Sequence, residues 1–190
     1  MSAEPHQEVV AFPGGIRARF RWAGTGQGDA VYALTEGGGA LHDYGERVSP
    51  TFERLCRAEL RVESPGGTWA ARLASPIFDA PSGLAWDTAR LLVVANGFAT
   101  NGLEARTGEL RWFHRSGSPI VAILGSPRLD HAIVQAEIET FALEANGEVL
   151  WRVAHSDVVA AAELVGGRLV LSSYGGLVRA LDPVTGREIA

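Results

Sequence analysis

Three turns of like composition recur at a fixed interval, and that interval limits what this chain can fold into more than any other feature. They are Glu104-Ala-Arg-Thr-Gly108, Glu144-Ala-Asn-Gly147 and Asp182-Pro-Val-Thr-Gly186. Each follows a leucine (Leu103, Leu143, Leu181) and leads into a short strand-like run. Two of those runs end in tryptophan, at Trp112 and Trp151. The closing glycines are evenly spaced, since 147 − 108 = 39 and 186 − 147 = 39. A constant period of this size marks a repeat architecture, in which each unit buries its apolar face only against its neighbours.

The intervals are filled with strand signals. Arg90-Leu-Leu-Val-Val-Ala95 is a buried-strand run followed by Asn96-Gly97, a dipeptide that tolerates positive φ and predicts a hairpin turn. The segments 131–135, 139–143 and 147–151 follow, then 158–165, a Gly166-Gly167 turn, 168–172, a Tyr174-Gly-Gly176 turn and 177–181. Counted from tryptophan to tryptophan, the regular units are 70–112, 113–151 and 152–190. Each offers four short strands, as does a β-propeller blade, whose repeats run at roughly 40 to 50 residues. The density of glycine and the β-branched runs exclude a helical solenoid. A β-sandwich does not explain like turns at constant spacing.

The N-terminal part, 13–69, is irregular. Residues 16–22 alternate Ile16, Ala18, Phe20 and Trp22 with Arg17, Arg19 and Arg21, the period of a strand with one buried face. Residues 24–29 read as a loop, 30–34 as a strand, and 40–44 as its returning partner. Over 49–60, Ser49 suits an N-cap and Pro50 the first helical position, while Phe52, Leu55, Cys56 and Leu60 fall near one helical face. This predicts a short helical insertion; a strand beginning near Arg57 is the competing reading. Val62-Glu63-Ser-Pro-Gly-Gly67 repeats the order of the later turns, with Gly67 lying 108 − 67 = 41 residues before Gly108. The expectation is one all-β domain over 1–190, a small or incomplete β-propeller of about four four-stranded blades. It is either closed by its N-terminal strand or completed by a second chain at an open blade edge. The third turn reaches Ala190 where the other two reach tryptophan.

Ala180-Leu-Asp182-Pro-Val-Thr185-Gly186 resembles the repeat of pyrroloquinoline-quinone-like (WD40-like) β-propellers, Ala-x-Asp-x-x-Thr-Gly-x-x-x-Trp. Gly102 to Trp112 matches it with Gly for Ala and Glu for Asp; Ala142 to Trp151 matches with one turn residue deleted. The likeness lies mainly over 60–190. It implies a fold and says little of function, because one fold hosts many functions. It also implies that Glu104, Glu144, Asp182, Trp112 and Trp151 are scaffold: the acids accept turn N–H groups, and the tryptophans pack on the neighbouring blade. Quinoprotein dehydrogenases of this family carry adjacent cysteines near the quinone. Cys56 is the only cysteine here, so the resemblance argues against a bound quinone.

No cofactor or metal is expected. His42-Asp43 and Asp130-His131 place carboxylate beside imidazole, but neighbours on a strand point to opposite faces and form no dyad. Ser172-Ser173-Tyr174-Gly175-Gly176 lacks the Gly-x-Ser-x-Gly elbow of a nucleophile. Gly24 to Gly28 is Gly-x-Gly-x-Gly without a βαβ unit, hence a loop rather than a dinucleotide fingerprint. With no converging catalytic set, the leading expectation is a non-catalytic interaction module presenting a loop face to a protein or peptide. Phe98, His114, Arg115, His155, Asp157 and Tyr174 are its candidate residues. The alternatives are a ligand-binding or enzymatic propeller using the central channel, and an inhibitor or immunity-type protein. A net charge of −5, with 17 basic residues and no strong basic patch in the sequence, argues against nucleic acid. No apolar run approaches the roughly 20 residues of a membrane helix. One cysteine, no basic start and no apolar leader point to a soluble bacterial protein of the cytoplasm.

Overall fold

A computed structural model describes residues 6–23, 39–45, 48 and 55–189. Among the described residues, sixteen strands form four sheets, and all but the first are built in chain order. The first sheet holds β1 (His6–Phe12), β2 (Ile16–Ala23), β3 (Ala40–Asp43), β4 (Cys56–Ser64) and β5 (Gly67–Ser75), in the spatial order β1-β2-β4-β5-β3. The second is an antiparallel meander of β6 (Ser82–Trp86), β7 (Leu91–Asn96), β8 (Ala99–Glu104) and β9 (Leu110–Arg115). The third repeats it with β10 (Ile120–Leu124), β11 (Ala132–Ala136), β12 (Glu139–Leu143) and β13 (Val149–Ala154). The fourth has β14 (Val159–Val165), β15 (Arg168–Ser173) and β16 (Val178–Leu181), with a single bridge from Leu181 to Glu188 where a fourth strand begins. This is the all-β, propeller-like fold expected from the repeat.

The sheets are held face to face by three buried clusters. Phe20, Leu60, Val62 and Trp69 of the first sheet pack on Leu92, Val94 and Leu103 of the second. Leu91, Val93 and Trp112 meet Val134, Phe141 and Leu143 of the third. Ile133 and Trp151 meet Leu169, Leu171 and Leu181 of the fourth. Central strands buried on both faces explain the unbroken apolar run over 91–95 in β7.

The sheets are offset from the tryptophan-to-tryptophan units: residues 70–75, at the head of the unit 70–112, belong to β5 of the first sheet. The alternation over 16–22 is realised as β2. One reading is corrected. The helical insertion over 49–60 is not formed where the chain is described: β4 starts at Cys56, close to the competing reading, and residues 49–54 lie outside the described residues. Ala58, Leu60 and Val62 carry the real period over β4, which is two; Cys56 and Leu60 fit that period as well as a helical spacing of four. Residues 40–43 pair in parallel with β5, Ala40 opposite Trp69; their expected partner, 30–34, lies outside the described residues, as do the loop 24–29 and Ala190. No helix among the described residues is long and apolar enough to cross a membrane.

Candidate functional site

In an up-and-down sheet, successive connections fall alternately at its two ends. One end of the array therefore collects the three recurring turns, and the other collects the loops 76–81, 97–98, 116–119, 137–138, 155–158 and 174–177. We call these the corner end and the loop end.

At the corner end, each turn is clasped by the tryptophan of the preceding sheet. Trp69 Nε1–H donates to Ala105 O and Trp112 Nε1–H to Ala145 O, both at 2.9 Å. A bulge between Gly102 and Leu103, and another between Ala142 and Leu143, sets Trp112 and Trp151 at the same offset from their turns. The glycines Gly108, Gly147 and Gly186 have φ of +78°, +86° and +70°, and each lies against the indole of the preceding sheet. In the third joint, Pro183 O accepts from His131 Nε2 at 2.7 Å, and Trp151 Nε1 is left without a hydrogen-bond partner. His42 Nε2 likewise donates to Thr107 O at 2.8 Å. Both histidines flagged beside aspartates therefore fasten corners. Of the three acids, Asp182 accepts turn groups, Val184 N–H at 2.8 Å and Thr185 Oγ–H at 3.0 Å. Glu104, one methylene longer, reaches instead to Arg111 at 2.8 Å.

The loop end is stitched by backbone bonds, two between sheets (from Ile120 and Val159) and two that prolong the β10–β11 and β14–β15 pairs (from Glu137 and Tyr174). Ile120 N–H donates to Gly97 O (2.8 Å), Glu137 N–H to Pro119 O (2.9 Å), Val159 N–H to Glu137 O (2.7 Å) and Tyr174 N–H to Val158 O (3.0 Å). These bonds hold a depression of about 300 Å³ lined by Phe78, Asp79, Val121, Glu137, Ala160 and Tyr174. Phe78 is 57% exposed and Tyr174 79% exposed on its rim. Burial pushes the Asp79 carboxyl above the usual carboxylate range; N–H groups of Gly97 and Ala80 oppose that shift, and the Glu137 carboxylate adds to it. Two acids thus share a shallow site flanked by exposed aromatic rings.

The six residues singled out in the sequence are all at or near this end, but the structure divides them. Tyr174 joins the depression. Phe98 and Arg115 line a narrow cleft with Pro76 and Phe113. His155 and Asp157 line another with Leu177 and Arg179. His114 sits in a sheet junction, 4.7 Å from the Phe141 ring, with its Nε2 accepting from Arg152 at 3.3 Å.

His155 is fixed by a chain of donors. Gln135 Nε2 donates to Ala136 O and Glu139 O, so Gln135 Oε1 accepts the Thr140 hydroxyl proton. Thr140 Oγ1 must then accept from His155 Nε2–H at 2.6 Å, and His155 Nδ1 faces Arg179 at 3.4 Å as an acceptor. Burial, and then the neighbouring arginine, lower the proton affinity of both His114 and His155. Both rings are held in ordered sheet junctions. Asp157 orders its loops: hydrogen bonds from Ser173 first, and then from Val158 N–H, hold its carboxyl below the usual range.

Phe78, Asp79 and Glu137 were not legible as site residues, because the connection 76–81 and the turn 137–138 are far apart in the chain and share no motif. Nor was a cluster of arginines. All 17 basic residues are arginine. The registers of β2, β4 and β5 put Arg17, Arg19, Arg21, Arg57, Arg61 and Arg72 on one face, correcting the reading of no basic cluster. Glu59 lies buried among them; its carboxyl is raised by burial against the opposing pull of Arg21, Arg61, Arg72 and Arg19. Among the described residues, no three His, Cys, Asp or Glu side chains group as metal ligands.

No family model matches the sequence, and no curated protein matches it. Similar solved structures do exist. The BamB structure from Moraxella catarrhalis superposes with a TM-score of 0.54 at 18% identity, over 100% of this chain and 50% of that one. HIRA(644-1017) gives a TM-score of 0.52 at 13% identity, over 100% and 53%. The computationally designed Ika8 protein gives a TM-score of 0.53 at 16% identity, over 72% and 45%. The chain spans about half the length of each of the three. At these identities the likeness is one of fold, and it agrees with the propeller-like resemblance carried by the turns.

Proposed function

We propose that the chain is a non-catalytic interaction module, a single propeller-like domain whose loop end takes a basic segment of a protein or peptide partner. The observation that carries this reading is the loop-end depression, with Asp79 and Glu137 between exposed Phe78 and Tyr174. Carboxylates attract an arginine or lysine head, and aromatic faces hold it by cation–π contact, worth about 0.5–1 kcal/mol at exposed sites. Extended main chain can lie across the rim, with Phe98, Arg115, His155 and Asp157 at the flanking clefts. This domain needs no cofactor, and the thiol of its one cysteine, buried Cys56, suits the reducing cytoplasm.

The test is titration of the protein with a fluorescent Arg-rich peptide and with its Glu-rich counterpart. Binding of the basic peptide alone is expected, with loss on Tyr174→Ala or Glu137→Gln. Affinity should fall as pH drops through the raised Asp79 pKa, because protonation removes the attracting charge. Equal binding of both peptides, or unchanged binding by both variants, would sink the reading.

A second reading concerns the fourth sheet. It has three strands where the second and third have four, and Val178 on its outer strand is 64% exposed. Pairing of this edge with a second copy of the chain would cover it. Light scattering at increasing concentration tests this; a monomer throughout would end it.

A further inference from the structure

The largest cavity described lies at the corner end, away from the loop-end depression, and the proposed function makes no use of it. It has a volume of about 490 Å³ and opens between the Phe12-Pro13 turn, the end of β6 and the connection 125–131. That is the size of pockets that enclose small organic ligands. Its walls are Phe12, Leu84, Trp86 and Leu129, contributed by three sheets. Gly125 keeps one wall thin: a Cβ there would stand 2.8 Å from Leu84 Cδ2.

The acidic and basic side chains have one sense. Among the described residues, Asp87 and Asp130 line the cavity and no arginine does. His131 Nε2 lies 2.7 Å from Pro183 O; a carbonyl only accepts, so Nε2 carries the hydrogen and that donor is spent on the corner. The Trp86 N–H is spent on Thr88 Oγ1 at 3.1 Å. The lining thus presents carboxylates, the Thr88 and Ser126 hydroxyls and aromatic faces, and a cationic partner for the two acids has to come with the ligand.

We propose that this cavity binds a small organic cation, an apolar body carrying an ammonium or guanidinium group. The body lies against Leu84, Leu129 and Phe12. The cationic head meets Asp87 and Asp130, with Trp86 supplying the best ring type for a cation–π contact. An anion would face two carboxylates with no cation to offset them. A neutral analogue keeps the apolar contact and leaves exposed carboxylates in water, which costs little, so the discrimination expected is modest.

The experiment compares phenylbutylamine, phenylbutanol and phenylbutyrate, each titrated into the full chain at neutral pH by calorimetry. Saturable binding of the amine at one site is expected, about tenfold tighter than the alcohol, with the acid weakest. Asp87→Asn with Asp130→Asn should bring the amine down to the alcohol's affinity, leaving both the alcohol and the basic-peptide affinity of the loop end unchanged. In the unmodified protein, added salt should weaken the amine and not the alcohol, which tests the charge without any variant. Alcohol binding as tight as amine, tighter binding of the acid, salt-independent amine binding, or no saturation by any of the three would overturn the proposal.

Discussion

Replacing Gly147 by alanine tests the joint on which the array depends. Gly147 has φ +86°, and an added Cβ would lie 2.6 Å from Trp112 Cγ and 2.7 Å from Trp112 Cβ. The conformation alone costs an L-residue about 1–2 kcal/mol. The contact costs more, because Cγ and Cβ are the root of the side chain and no ring rotation clears them. The indole has to slide, straining the 2.9 Å bond from Trp112 Nε1 to Ala145 O, and overpacking of this kind costs about 1–3 kcal/mol. The expected loss is the sum, about 2–5 kcal/mol, a large part of the roughly 5–15 kcal/mol that holds a domain together. Urea unfolding followed by both tryptophan fluorescence and circular dichroism measures it, provided the two probes report one transition. The decisive comparison is the same substitution in Trp112→Ala, itself expected to cost about 3–5 kcal/mol. There the clash is gone and only the conformational term of about 1–2 kcal/mol remains, so the two changes should couple by about 1–3 kcal/mol. Additive losses, or a single-variant loss below about 1 kcal/mol, would refute the claim that Trp112 is seated on this turn.

Gly166→Ala is the control: φ is +57° and nothing lies within 4 Å of the added Cβ, so only the strain of about 1–2 kcal/mol is expected on urea unfolding. The histidines predict an acid-side loss of stability. His114 and His155 have folded proton affinities below the unfolded value of 6.5, so the unfolded chain takes up protons first as pH falls through that value. Their contribution is fully present above pH 6.5 and declines below it; His155→Gln should flatten the fall of Tm between about pH 6.5 and 5. Asp79 runs the other way. Its raised pKa favours the folded state below the unfolded value of 3.8, and that preference is lost as pH rises through the folded pKa. Asp79→Asn should therefore raise Tm at pH 7 and not at acid pH, while weakening binding of the basic peptide.

The corner joints were largely legible in the sequence. Turn glycines 39 residues apart, with a leucine before each turn and a tryptophan after two of them, carry the period and the need for a neighbouring surface, because each turn needs a positive φ and each indole needs to be covered. The identity of the partners was less so: Trp69, Trp112 and Trp151 dock on the turn of the following sheet, at Gly108, Gly147 and Gly186. The helix reading of 49–60 shows the limit of periodicity in a short window. Cys56 and Leu60 satisfy a period of two as well as a spacing of four, and pairing of β4 with β2 and β5 decides between them.

The candidate site was much less legible. Tyr174 was named for its loop, and the structure places it beside Glu137 and the Phe78-Asp79 pair, three segments separated by tens of positions. His114 and His155, named for the same face, turn out to be held in sheet junctions by Arg152 and Arg179. Repetition in a chain is local information: turn chemistry, alternation and spacing are written residue by residue, and they determine that this chain builds short antiparallel sheets with tryptophan-clasped corners. Which acids meet, which rings stay in solvent and where a cavity of about 490 Å³ opens depend on how the sheets stack. Those are contacts between units, set by packing across sheets, and only the tertiary structure decides them.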